Sequence, residues 1–450
     1  MRAKSLKCFA LACLFSGAPG VGVGAQSSPP QAPSQAPAAP SAPAGTPLTL
    51  KQAEDIALKK NPQISVARLL ALVSHQVVRE TRSALFPTAF LSVTAVDSKD
   101  NSRITAGGLD NPIIYPRAAA GATVSQLITD FGRTTNLVSS SQYRAKAEEQ
   151  NSQATRAQIV LAVDQMFYAG LEAQALLQVA QETVKTRQLL TDKVQALANA
   201  KLKSELDLSF AKVDLARAQL LLLGAQNNYQ ASLANLSAIL GYPDRQEFQL
   251  MEEGGQLAPP SPDVAPLIAE GLQQRPEVAA LQDDVQAAQK FSSAEHDLWR
   301  PTVSAIGVVG LTPVRDSRFA SWYGAAGANV NIPVFNGFLY NAREKTADLQ
   351  TEEARQRLLD MRNSIARDVR NSWQDSNQAY ERLSVTKQLE EQANLALNLA
   401  QARYNLGLGS IVELSQAELQ KTEADIDDAN ARYEYLQSQM VLAFETGRRP

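Results

Sequence analysis

Ala402-Arg403-Tyr404-Asn405-Leu406-Gly407-Leu408-Gly409-Ser410-Ile411-Val412-Glu413-Leu414 decides the fold: two glycines and a serine interrupt what is otherwise unbroken helix-forming sequence. Upstream, from about Leu339 to Leu406, there is no proline and almost no glycine. At about 1.5 Å per residue such a run makes a rod of roughly 100 Å, against a mean globular helix of about three turns. Downstream, Ser410 is placed to cap a returning helix over about 411–445, which Gly447 ends. So long a rod has to lie against other helices. Ile365, Val369, Trp373, Tyr380 and Leu383 recur at steps of 3, 4 or 7, predicting a narrow apolar seam, while charged and amide residues fill the other positions.

The same parts occur once before. A rod over about Thr134 to Ala200 meets the turn Lys201-Leu202-Lys203-Ser204, then a return helix over about 205–240 that stops at Gly241. Ser204 matches Ser410, Leu208-Ser209 matches Leu414-Ser415, Tyr168 matches Trp373 and Gly241 matches Gly447, at an offset of 205 to 206. Further upstream Asn61-Pro62-Gln63 and Phe86-Pro87-Thr88 answer Arg275-Pro276-Glu277 and Arg300-Pro301-Thr302 at an offset of 214. The chain is therefore read as two repeats, 48–262 and 263–450, each with a first helix, two strands, a long helix and a return helix.

The first helices, about 49–85 and 263–299, are stopped by Pro87 and Pro301, since proline disfavours a helical residue before it. Each is followed by a strand pair. Over 325–334, Ala326, Ala328, Val330, Ile332 and Val334 share one face, and Ala325, Gly327, Asn329, Asn331 and Pro333 the other. Such a strand could cover a soluble core, or face lipid outside and water inside. The connections, about 97–117 and 312–321, are rich in loop-forming residues, and Asp130-Phe131-Gly132 and Asn336-Gly337 make tight turns into the rods.

Arg2, Lys4 and Lys7 precede the apolar run Cys8 to Phe15 and a small-residue end at Ala25, so residues 1–25 read as a cleaved signal peptide. Residues 26–47, almost wholly Gln, Ser, Pro and Ala, read as a disordered tether. Both cysteines, Cys8 and Cys13, would leave with the signal; a lipidated Cys13 is disfavoured because Ala10-Leu11-Ala12 lacks the usual large aliphatic residue. The remaining chain has 40 basic against 46 acidic residues, net −6, which argues against nucleic-acid binding. No later stretch approaches the roughly 20 apolar residues of a membrane helix, so any membrane span is made by strands.

The ordered series of turns and junctions, above all Ala402 to Leu414 together with Phe86-Pro87, Arg300-Pro301 and Pro333-Val334-Phe335-Asn336-Gly337, resembles the TolC family of outer-membrane efflux proteins over about residues 48–447. The resemblance implies a mainly α fold with a transmembrane β-barrel portion: an internally duplicated protomer of a homotrimer whose 12-stranded barrel joins a long α-helical barrel. Physics agrees, because four strands cannot close a barrel of usable bore, and open edges in lipid leave backbone groups unpaired. By the same resemblance, Asp207 and Glu413 line the periplasmic constriction, and threefold symmetry would give six carboxylates there. Tyr404 falls where the family has a gate latch, but the latch arginine is replaced by Gly409 and a second acidic residue by Gln416. Asp207 and Glu413 also lie near helix N-termini, where a carboxylate is stabilised structurally. Lys201, Leu202, Leu408 and Ser410 are candidate contacts for a periplasmic adaptor, which would link the duct to an inner-membrane pump.

No catalytic constellation, phosphate loop, metal-ligand cluster or cofactor motif is expected, and the only histidines, His75 and His296, read as partly exposed helix residues. Transport through an exit duct of an efflux pump or type I secretion system is the leading reading. A soluble periplasmic coiled-coil protein, structural or adaptor-like, is the alternative, and the fate of the strands separates the two.

Overall fold

The computed structural model describes residues 45–97, 116–252, 254, 257–315 and 320–448. The expected signal peptide, the tether up to residue 44 and nearly all of the 97–117 connection lie outside the described residues. In chain order the elements are β1 (Thr46–Leu48), α1 (Leu50–Lys60), α2 (Pro62–Ser83), β2 (Thr88–Val96), β3 (Arg117–Thr129), α3 (Arg133–Asn199) and α4 (Glu205–Ile239), followed by β4 (Phe248–Leu250), α5 (Ala265–Gln274), α6 (Pro276–His296), β5 (Thr302–Val314), β6 (Trp322–Asn331), α7 (Leu339–Asn405) and α8 (Ile411–Glu445).

The end of the tether is ordered: Thr46–Leu48 pairs in parallel with Phe248–Leu250. Leu48, Phe248 and Leu250 are buried in a core with Phe167 and Leu236, and that burial turns a proline-containing stretch into a strand. Thr49 then opens α1 through a capping box with Gln52, and Asn61 caps α2 ahead of Pro62.

Both rods have 67 residues and both return helices 35, and from the rods onward the two halves are displaced by 206 positions. On that offset Phe167, not Tyr168, answers Trp373, just as Ile159 answers Ile365 and Val163 answers Val369. Phe131 and Gly132 are both left-handed, and so are Gly337 and Phe338, so each half puts one phenylalanine and one glycine on the same two backbone positions in opposite order. Asp130 accepts from Thr134 N at 2.7 Å, and Asn336 from Tyr340 N at 3.5 Å, capping the rods from equivalent places.

The α7 seam differs from the expected one. Ile365 and Val369 are buried, but the line continues through Ser372, Ser376, Ala379, Thr386 and Ala393, while Trp373 and Tyr380 stand beside it. Closely spaced helices admit only small side chains at their centre line, so the aromatics bind along its edge. Trp373 Nε1 donates to Ser261 O at 2.8 Å, and the Tyr380 ring lies 5.3 Å from that of Tyr435.

Side by side, α2 contacts α3, α3 contacts α6 and α6 contacts α7; along the other stretch the order is α4, α3, α8, α7. The four-stranded antiparallel sheet runs β2-β3-β5-β6, with β2 and β6 as free edges among the described residues. β5 continues through Pro313 to Val314, beyond the expected loop boundary, because Thr312 N still donates to Ser321 O at 2.8 Å. β6 runs from Trp322 to Asn331, ending before Pro333, which has no N–H to give.

Register aligns the faces across the sheet. Leu91, Ala122, Val309 and Gly324 form one row, and Val93, Ala120, Leu311 and Trp322 the next, on an apolar face. The opposite face is mixed: Thr88, Ser92, Thr94, Thr123, Ser125, Ser304, Asn329 and Asn331 stand there with the apolar Phe90, Ile306 and Val308 and with Tyr323. Leu91, Val93, Val309, Leu311 and Trp322 are all exposed in the single chain. Water would not tolerate such a surface as a stable monomer face; lipid would.

Candidate functional site

The two hairpin tips, α3 to α4 and α7 to α8, meet at the end of the rods farthest from the sheet. Each return helix is capped by a serine of its turn: Ser204 Oγ accepts from Asp207 N, and Ser410 Oγ accepts from Glu413 N, both at 3.1 Å. Caps of this kind contribute about 1 kcal/mol each. Gly407 at φ +74° and Lys201 at φ +57° hold equivalent left-handed positions in the two turns. Glycine adopts that conformation freely, and lysine at some cost.

Behind the turns Val194, Leu208, Ala211, Tyr404, Ile411 and Leu414 form one cluster that joins the hairpins. Tyr404 is 3% exposed, and its buried hydroxyl has no hydrogen-bond partner among the described residues. Lys203 Nζ sits 4.2 Å from the ring centroid, a cation–π contact with the other turn. Burial, and secondarily the Asp207 carboxylate, push the Tyr404 phenol above its usual range, so it is a neutral donor.

Asp207 is half-buried and turned back into its own helix terminus, accepting from Ser204 N at 3.3 Å. Glu413 is exposed and lies 3.8 Å from Arg403, whose guanidinium also donates to Leu408 O at 3.3 Å. The tip therefore carries cations, Arg403 and Lys203, beside the carboxylates singled out from sequence. Lys201, Leu202, Leu408 and Ser410 are exposed on the turns, and Leu206 and Val412 extend the pairs of exposed aliphatics.

Farther up the hairpins lies a cluster that sequence reading missed. Ala173, Ala180, Arg187 and Val194 are buried on α3 at seven-residue spacing, so Arg187 occupies a seam position between apolar neighbours. Its guanidinium pairs with Glu418 of α8, while Asp214 of α4 accepts from Ser415 of α8. Thr191 Oγ1 donates to Ala211 O at 3.2 Å. Burial pulls the Arg187 guanidinium down, and Asp214 opposes the shift. Charges 231 positions apart carry no local signal; only the heptad position of Arg187 could have hinted at it.

The chain thus joins two long helical hairpins, whose tips pack together, to a four-stranded sheet with two edge strands and one strongly apolar face. The Outer membrane efflux protein family matches residues 54–242 and 267–448, and the chain belongs to that family. The outer membrane protein TolC of Salmonella enteritidis is 28% identical over 121 residues, which is 27% of this chain and 25% of that protein's length. The toluene efflux pump outer membrane protein TtgC of Pseudomonas putida is 23% identical over 370 residues, 80% of this chain and 75% of the relative. Among solved structures, the outer membrane protein VceC of Vibrio cholerae superposes with a TM-score of 0.75 at 20% identity, covering 88% of this chain and 96% of that one.

Proposed function

We propose that three copies of this chain close into an outer-membrane exit duct, open to the exterior through a 12-stranded barrel and extended into the periplasm by an α-helical barrel. One observation carries the reading: the free edges of the strands and the uncovered apolar stripes of the helices fall on the same two flanks. β2 and α2 share one flank, where Val66, Leu69, Leu70, Val73 and Val77 are exposed on a single helical face. β6 and α7 share the other, with Leu349, Leu359 and Leu389 exposed. A flank that differs from its partner flank makes a head-to-tail contact, and such contacts close a ring when the rotation from copy to copy divides the full turn.

In this reading Asp207 and Glu413 line the periplasmic mouth, tempered by Arg403. Tyr404 serves the closed state by packing between the hairpins, its hydroxyl being without a partner among the described residues. Lys201, Leu202, Leu408 and Ser410 offer an apolar tip with a polar rim to a periplasmic adaptor, and energy and cargo selection come from an inner-membrane pump. Fractionation of expressing cells tests the reading: heat-resistant trimers in the outer membrane support it, and a soluble periplasmic monomer ends it in favour of a coiled-coil structural or adaptor role.

A further inference from the structure

Among the described residues of the four sheet strands only two are buried, Gly121 on β3 and Gly310 on β5. They are register partners, and the row continues to Ser92 on one side and Tyr323 on the other. What buries them is the Tyr323 side chain. A Cβ on Gly310 would fall closer than 3.0 Å to the phenol ring, and a Cβ on Gly121 closer than 3.0 Å to its hydroxyl. The ring therefore lies flat along the sheet, across two neighbouring strands, in a recess that exists only because both positions lack side chains. The face is the one carrying Ser92, Thr123 and Asn329, opposite Leu311 and Trp322.

We propose that Tyr323 is a bore-setting residue of the barrel, stowed against the wall by the Gly121–Gly310 recess so that its ring takes no space from the channel. The inference rests on the duct reading. A ring standing upright at this row would project several ångströms into the lumen from each of three copies. Lying flat, it also covers the backbone of β3 and β5 and ties edge strand β6 to the sheet, the pairing of aromatic with glycine that offsets a strand glycine's lack of contacts.

The test reads the size limit of the barrel from outside, independently of the periplasmic mouth. Asn329→Cys places a thiol on the same face deeper in β6, and Val330→Cys places one on the apolar face. Intact cells are exposed to maleimide-polyethylene glycols of graded mass, and outer-membrane trimers are verified for every variant. Labelling of Asn329→Cys with protection of Val330→Cys is the pattern a lipid-embedded barrel gives; equal labelling of both overturns the duct reading itself. Given that pattern, Gly310→Val lowers the largest polymer that reaches the thiol at position 329, and adding Tyr323→Ala restores the limit. Tyr323→Ala alone leaves the limit unchanged, because a stowed ring occupies no bore. A Gly310→Val trimer with the original limit, or a Tyr323→Ala trimer that admits larger polymers, overturns the proposal while leaving the duct intact. If Gly310→Val does not assemble, the Tyr323→Ala comparison decides alone.

Discussion

Arg187 of α3 and Glu418 of α8 form an ion pair inside the protomer, their side chains 7% and 4% exposed, at the level where the hairpins converge on the tip. Removing one partner from such a pair leaves an uncompensated buried charge. Glu418→Ala is therefore expected to cost about 3–5 kcal/mol locally, whereas replacing both with apolar groups of similar volume, Arg187→Met with Glu418→Leu, is close to neutral or stabilising. Limited trypsin digestion at Lys201 and Lys203 reports the loosening: faster cleavage in the single variant, and restored resistance in the double. Equal resistance in all three would mean that the pair does not hold the hairpins.

Gly241 and Gly447 end the two return helices at φ +85° and +74°, each against the bend before the proline of the preceding first helix. A Cβ on Gly241 would stand 2.8 Å from Lys60 O, and one on Gly447 2.9 Å from Gln274 Cβ. Gly241→Ala and Gly447→Ala should each destabilise the protein by about 1–3 kcal/mol through left-handed strain plus this crowding. The two sites share no partners, so the effects should add. Thermal unfolding in detergent measures both.

Glu172 on α3 is pushed above the usual carboxylate range, first by burial and then by Glu434, which Arg382 holds at 2.6 Å. A carboxyl whose folded pKa is raised costs stability when ionised, fully above the folded value and not at all below the unfolded value near about 4.3. Glu172→Gln should therefore raise the melting temperature at pH 7 to 8, with the gain shrinking as the pH falls toward about 4. A gain independent of pH would assign the effect to packing.

Neutralising Asp207 and Glu413 together, as Asn and Gln, should lower the cation preference of single channels in planar bilayers, since carboxylate rings favour cations. Arg403→Gln should move the preference the other way, because the guanidinium balances Glu413 across 3.8 Å. Unchanged selectivity in both variants would remove the tip charges from the account.

The rods, their turns and the strand faces were legible because their signals are local: Ser204 and Ser410 as caps, Pro87 and Pro301 as stops, Gly241 and Gly447 at the ends. Alternation over 325–334 likewise revealed the two faces later extended across the sheet by register. Pairing of Thr46–Leu48 with Phe248–Leu250 was not legible, since a partner 202 residues away decides it. Spacing alone places Trp373 and Tyr380 in the seam, while close helix approach reserves it for Ser372, Ser376 and Ala379. At the tip Asp207, Glu413 and Tyr404 came from family resemblance, whereas Arg403, Lys203 and the Arg187–Glu418 pair depend on how two distant hairpins meet.

Ring closure through the two free flanks is tested most directly by cysteine cross-linking across them. With one cysteine in β2 at an outward edge position and a scan of single cysteines along β6, oxidation in outer-membrane preparations should yield covalent dimers and trimers and nothing larger. A register that produces only monomers at every pairing, or a ladder that continues beyond three chains, would contradict closure of three copies into one barrel.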